Sequence, residues 1–551
     1  MVHPTTQGPM QNVTSSPPVD TSVSHRSERF RLLPAIGLVA FLYLMYSPAF
    51  LTDYLMEDEW GVIGSRGNLR RDAIDGFFTW GRSLFGIYST LVYRFVGYSP
   101  ARVQLVRFLN FVGFAGIAIV LYIFLSRRTQ RALFSALVIL FLFSQPPFQA
   151  AMGFSLQLIS NTQPAMWLSL LAFYIYFVWS PRKPFHPLFR AMAVFVLLIL
   201  AMQSTQTYAF FCMVPLTYLT LCDWKSKRRR ILQFVALAVI VFIVSTLMYQ
   251  AGLYYSHIRG RYGYPLGEED VTALRQHPMA VFLHALNPVT YWSAFEVWNY
   301  PFPLDWTPPI GTLKIALAFC IMIGWVALIV SACITEAQGH THEQRQDTLL
   351  KWLLVLVCLA FGAIFIVADS PLLTAEPRPH MALTFVGVAV VAATYSLLVL
   401  AERHQFLRSQ MSLALGVFVV TMVAFGAQTG LVRGYVNNRA EQLDFIRAEL
   451  IATAPSAYHS VIVVLPDENT CVTEPCGRWT GAAVDRQVYK AAGYRYALAT
   501  LGIAPESKTI TFVRQRPDVT ANDAVVIDWQ RYALAQHRLR AQTRFQTPAQ
   551  P

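Results

Sequence analysis

"LPAIGLVAFLYLMYSPAFLTDYLMEDEWGVIG", residues 33–64, runs from about twenty mostly apolar residues straight into three adjacent carboxylates, Glu57, Asp58 and Glu59. An apolar run of that length crosses the roughly 30 Å hydrocarbon core of a bilayer as one helix. The acidic triplet then falls where hydrocarbon gives way to water. Comparable runs recur along most of the 551 residues; 55% of the chain is hydrophobic and only 14% charged, well under the roughly one quarter usual in soluble proteins. The chain reads as an all-α polytopic membrane protein.

Apolar length places about eleven spans, at 33–52, 103–125, 132–148, 165–180, 190–204, 207–222, 231–253, 311–334, 351–368, 381–400 and 411–431. Basic loops orient them, because Lys and Arg are retained on the cytoplasmic side. Arg127-Arg128-Arg131, Arg182-Lys183-Arg190 and Lys225-Lys227-Arg228-Arg229-Arg230 all fall in loops on one predicted side. Much of the net charge of +13 sits there, so it does not point to nucleic acid. Residues 1–30, rich in Pro, Ser and Thr, read as a disordered cytoplasmic tail. Residues 31–431 form the membrane domain.

Eleven spans place residues 53–102 and the C-terminal part, 432–551, on the outer face. Within the first outer loop, 77–97 is amphipathic and interrupted by Arg82 and Arg94, the pattern of a helix lying in the interface. The C-terminal part reads as a small extracytoplasmic α/β domain. Residues 439–454 have helical spacing, and "SVIVVLP" (460–466) and "DAVVIDW" (523–529) are β-rich. Cys471 and Cys476 flank "VTEP" there; an oxidising compartment would let them close a short disulfide loop. The other five cysteines fall within or at the ends of spans.

Three groups on the outer face could carry chemistry. The first is the acidic triplet. A carboxylate near the bilayer boundary loses hydration, which raises its basicity and suits it to accept a proton from a hydroxyl. The same oxygens could instead ligate a divalent cation, although no metal set is defined; a solvated surface loop is the plainer alternative. The second is "ADSPLLTAEPRPHMALTF" (368–385), where Pro377 and Pro379 stiffen the backbone and place Glu376, Arg378 and His380 on one side. Arg378 with His380 suits a phosphate, and snorkelling of Arg378 to headgroups is the alternative. The third is the long loop 254–310, with Arg259 and Arg261 as further phosphate contacts and many aromatic rings that fit either sugar faces or a membrane belt. Nucleotide-binding glycine loops and metalloprotease motifs are missing from the sequence, which argues against an ATP-driven pump.

This arrangement resembles the polytopic GT-C glycosyltransferases, which carry an acidic motif in the first outer loop, interfacial helices after it, many spans and often an extracytoplasmic domain. Asp58-Glu59 matches the acidic motif, and "WGRSLFGIYSTLVYRFVG" (80–97) resembles the Gly-Arg-rich helix of bacterial membrane glucosyltransferase-like proteins. The resemblance implies a polyprenyl-phosphate-linked sugar as donor, a glycan or lipid-linked acceptor at the outer leaflet, and a bacterial inner-membrane location. Asp58 would then be the base with Glu57 and Glu59 beside it, Arg378, His380, Arg259 and Arg261 would face the donor phosphate, and Glu376 and Arg82 would support them. Three other readings stay open: a transporter or flippase of lipid-linked sugars, a polyprenyl-linked glycan polymerase or ligase, and an assembly partner acting through its tail.

Overall fold

The computed structural model describes residues 21–55, 63, 82–153, 159, 162–179, 187–256, 310–338, 341–369, 382–403, 410–432, 436–452, 458–465, 491–516 and 524–532. These residues form a helical bundle with a small parallel sheet at one end. In chain order the bundle comprises α1 (Thr21–Leu51), α2 (Ser83–Val96), α3 (Pro100–Thr129), α4 (Ala132–Phe143), α5 (Pro146–Gly153) and α6 (Thr162–Phe173), which ends in a wider π-helical turn, Tyr174–Val178. It continues through α7 (Pro187–Ser204), α8 (Gln206–Ala209), α9 (Met213–Ser256), α10 (Ile310–Ala337), α11 (His342–Asp369), α12 (Leu383–Arg403) and α13 (Gln410–Leu431).

Their surfaces are those of helices in lipid. On α1, Leu38, Leu42, Met45, Tyr46 and Ala49 are buried in the bundle, while Leu33, Ile36, Leu44 and Leu51 stand exposed on the other side. On α13, Met411, Leu415, Phe418 and Phe425 are exposed in the same way. A helix that is apolar all round belongs in a membrane.

Among the described residues, six helices are long and apolar enough to cross, or seven if α4 and α5, bent by 61° to each other, form one broken span. The expected count of eleven is not confirmed. At 207–222 and 231–253, expected as two spans, two helical stretches join across a kink at Asp223, and the basic run Lys225–Arg230 lies in the stretch after it. Lys and Arg are good helix formers, so a basic run need not end a helix. The helix is instead bent at Asp223, whose backbone leaves the helical region (φ −113°, ψ 21°) and whose carboxylate takes Arg128 at 2.6 Å and Lys227 at 2.9 Å. Another difference lies at Pro146-Pro147, which breaks the span expected at 132–148. The chain turns back into the protein as α5, all of whose eight residues are buried, where a loop had been expected from residue 149. In the stretch 77–97 the helix is α2, 14 residues or about 21 Å long, too short to cross.

Charge divides the bundle into two ends. At the basic end, Arg228 meets Asp347 at 3.0 Å, and Arg403 reaches Gln338 and the carbonyl of Thr335, both at 2.6 Å. Glu336 on α10 is held there by Lys351 and Trp352 on α11, at 2.5 and 2.9 Å, and by Tyr395 on α12, at 2.5 Å. One carboxylate thus ties three helices together.

The opposite end carries the C-terminal part: α14 (Asn437–Ala452), β1 (Ser460–Val464), α15 (Ala491–Thr500), β2 (Thr509–Val513) and β3 (Ala524–Asp528). The strands run parallel in the order β2-β1-β3, with Val461 opposite Ile510 and Val525. Parallel neighbours need a crossover, and α15 lies in the one between β1 and β2. Both strands expected from the sequence form; β2 is an addition, an edge strand whose residues are half-buried or exposed. The core of this region holds Leu443, Ile446 and Leu450 of α14 against Val461, Val463, Ile527 and Trp529. Leu55 and Ile63 of the first loop, Tyr93 and Val96 of α2, and Val103 and Val106 of α3 are buried in the same cluster. The sheet region is therefore seated on the end of the bundle where α1 finishes and α3 begins, hereafter the tail end.

Candidate functional site

The junction at the tail end is built by three consecutive residues, Asp53, Tyr54 and Leu55, that follow the last turn of α1. Asp53 accepts the hydroxyl of Tyr496 (α15) at 2.6 Å and pairs with the guanidinium of Arg447 (α14). Arg447 is fixed in turn by Thr500 at 2.9 Å and by Asp444 at 3.1 Å. Tyr54 turns the other way: its hydroxyl donates to the carbonyl of Gly153 at 2.9 Å, and its ring lies 3.7 Å from the guanidinium of Arg107. Arg107, wholly buried on α3, donates to the Tyr54 carbonyl at 2.6 Å. Leu55 is buried in the core of the sheet region.

Burial pushes the Tyr496 phenol well above its ordinary range, and the Asp53 carboxylate pushes it further, with Arg107 and Arg447 opposing. The phenol therefore stays protonated and keeps donating to Asp53 through the whole physiological range.

One turn below Arg107 on the same face of α3, Asn110 donates to the Ala151 carbonyl at 3.3 Å. The amide of Gln163 (α6) donates to both oxygens of Asn110 at 3.1 Å. Gly113 leaves the room that this amide fills: a Cβ there would stand 2.3 Å from Gln163 Oε1. The Oε1 atoms of Gln149 and Gln163 are buried with no hydrogen-bond partner among the described residues. A polar column thus leads from the junction into the bundle, where such groups face protein or water rather than lipid.

A second polar meeting point lies beside it. Arg82, at the start of α2, donates to Gln206 at 2.9 Å, and Ser83 donates to Gln203 at 2.7 Å. The Thr384 hydroxyl at the start of α12 donates to the Thr207 carbonyl at 3.2 Å. The break between α7 and α8 at Thr205 therefore receives α2 from one side and α12 from another.

Of the residues expected to carry chemistry, Arg82 is described, and it stands at the tail end, held by Gln206. Glu57, Asp58, Glu59, Arg259, Arg261, Glu376, Arg378, His380, Cys471 and Cys476 lie outside the described residues. Their flanks are informative. The triplet lies between Leu55 and Ile63, both fully buried in the junction core. The cationic strip lies just before Ala382 and Leu383, buried where α12 meets Thr207. Asp53, Tyr54, Arg107, Arg447 and Tyr496 were not singled out by sequence reasoning as site residues. An arginine inside the expected span 103–125 was the available signal for Arg107. Among the described residues no three His, Cys, Asp or Glu side chains gather as metal ligands. No family model matches the chain, and no curated protein is significantly similar to it.

Proposed function

We propose that the protein is an integral membrane glycosyltransferase of the GT-C type, moving a sugar from a polyprenyl-phosphate donor to an acceptor at the tail end of the bundle. The observation that carries this reading is the burial of Leu55 and Ile63, the described residues that precede and follow Glu57-Asp58-Glu59 in the sequence, in one core at the same end as the start of α12. In this reading the basic end faces the cytoplasm, as retained Lys and Arg would require, and the tail end faces outward. A bacterial inner membrane is the setting that the family likeness suggests.

The chemistry follows from charge. Asp58 takes the proton from the acceptor hydroxyl as its oxygen attacks the anomeric carbon, and the bond from that carbon to the donor phosphate breaks. Negative charge growing on the leaving phosphate is stabilised by Arg378 and His380, with Arg259 and Arg261 as further donors, because preorganised cations cost no reorganisation at that moment. Asp53 and Arg447 take no part in the transfer; they hold the end of α1 to the sheet region.

The test is reconstitution of the full chain in proteoliposomes with polyprenyl-phosphate sugar labelled in the sugar. Label should leave the lipid, and Asp58→Asn should slow this by about 10²–10⁴-fold, the range general-base catalysis supplies. Transfer at the wild-type rate by Asp58→Asn would remove Asp58 from the role. The buried amides Asn110, Gln149 and Gln163 favour a second reading, a flippase with a polar path through the bundle. Labelled lipid that crosses the bilayer intact, with no transfer, would establish that reading instead.

A further inference from the structure

The basic end holds a feature that the transferase reading does not use. Between α6 with its π-helical turn and α7 runs a groove of about 460 Å³ with entirely apolar walls, among them Leu171, Ile175, Met192, Ala193 and Val196. Leu171, Met192 and Val196 are exposed, so the groove opens toward lipid rather than into the protein. Along α7 it follows the helix from Phe189 to Leu197, a rise of about 12 Å.

Cationic groups stand at one mouth of this groove. Arg190 lies three residues before Ala193, hence on a neighbouring part of the same helix face. Its Nε is buried and has no hydrogen-bond partner among the described residues, a donor that costs free energy until an acceptor reaches it. Arg230 of α9 donates to the backbone carbonyl of Tyr176, one residue beyond Ile175 in the groove wall. Its guanidinium lies 5.7 and 5.8 Å from the rings of Tyr176 and Phe177. Arg190 and Arg230 both stand within electrostatic reach of the Tyr176 hydroxyl, so the two cations share one small region. The positive end of the α7 dipole points the same way.

We infer that this end of the bundle binds one anionic phospholipid, its phosphate held by Arg190 and Arg230 and one acyl chain laid in the groove between α6 and α7. Charge complementarity selects the headgroup, since a guanidinium offers paired donors to a phosphate and a zwitterionic lipid brings its own cation. The apolar walls select a chain rather than a free anion. The site is far along the bundle from the junction and stands independently of the transferase reading.

The test is native mass spectrometry of the purified full chain in detergent, titrated separately with phosphatidylglycerol, phosphatidylcholine and inorganic phosphate. One phosphatidylglycerol should be retained about tenfold more tightly than phosphatidylcholine, and phosphate should add no bound species. Arg190→Gln should weaken phosphatidylglycerol by roughly fivefold to tenfold, about the worth of one charged contact at a membrane surface. Val196→Trp, at a lipid-facing position that tests no core packing, should fill the groove and weaken it without altering charge. Equal retention of the two lipids, or phosphate binding as tightly as the lipid, would overturn the site. So would unchanged phosphatidylglycerol retention in Val196→Trp, which decides the matter even if Arg190→Gln does not fold.

Discussion

At the basic end, Glu336 is held by donors from two neighbouring helices of the same bundle, Lys351 and Trp352 on α11 and Tyr395 on α12. At the tail end, Asp53 is held by Arg447 and Tyr496, both from the sheet region, 394 and 443 residues further along the chain. Each carboxylate is mostly buried and each is matched by a cation. They differ in what they join. Glu336 locks α10 against α11 and α12, whereas Asp53 fastens the sheet region to the end of α1. Loss of the first should therefore weaken the whole bundle, and loss of the second should free one piece.

The largest effect is expected from Lys351→Met. The Lys351 side chain is 9% exposed and Glu336 16%, so the variant strands a buried carboxylate that keeps only the neutral donors Trp352 and Tyr395. Breaking a buried pair costs about 3–5 kcal/mol, and the two remaining donors place this case near 3. The whole-bundle unfolding transition in detergent should fall accordingly. Adding Glu336→Gln to the variant should recover much of the loss, because it removes the stranded charge.

Asp53→Asn should cost less, about 1–3 kcal/mol, since Arg447 keeps Asp444 and Thr500. The place of the effect matters more than its size. Limited proteolysis should release the sheet region several-fold faster while the bundle transition stays put. If instead both variants lower the bundle transition together, the two ends are one cooperative unit.

Sequence alone reached the bundle more readily than the site, for physical reasons. Apolar runs are local and long, so segments such as 33–52 and 411–431 announce their helices. The strands at 460–464 and 524–528 are continuous β-branched runs and were equally legible. β2, "TITFV", has only two large apolar positions facing the core side and reads as ordinary polar chain. The exact place of the break between the helical stretches of 213–256 was hidden, because a basic run serves as a loop or as a helix; the kink falls at Asp223, which Arg128 of α3 holds from across the bundle. The pairing of Asp53 with Arg447 has no local pattern at all. Of the candidate chemistry, Glu57, Asp58 and Glu59 lie outside the described residues, and the burial of Leu55 and Ile63 in one core had no local signal in the sequence.

The smallest effect expected at neutral pH belongs to Tyr496→Phe, and it separates the two components of the clamp. Removing the hydroxyl takes one donor from Asp53 and leaves Arg447, a loss of about 1 kcal/mol. Its signature is in alkali. Burial first, and then the neighbouring carboxylate, raise the folded phenol above the ordinary value of 10.0, so the folded state holds its proton more tightly than the unfolded chain does. Stability from this group is thus complete below about pH 10 and falls as pH rises above that, because the unfolded chain alone gains by ionising. In the wild-type protein, release of the sheet region to protease should therefore accelerate above pH 10, and in Tyr496→Phe this acceleration should be shallower. Parallel profiles for the two proteins would mean that Arg447 alone holds Asp53 and that the phenol is a bystander.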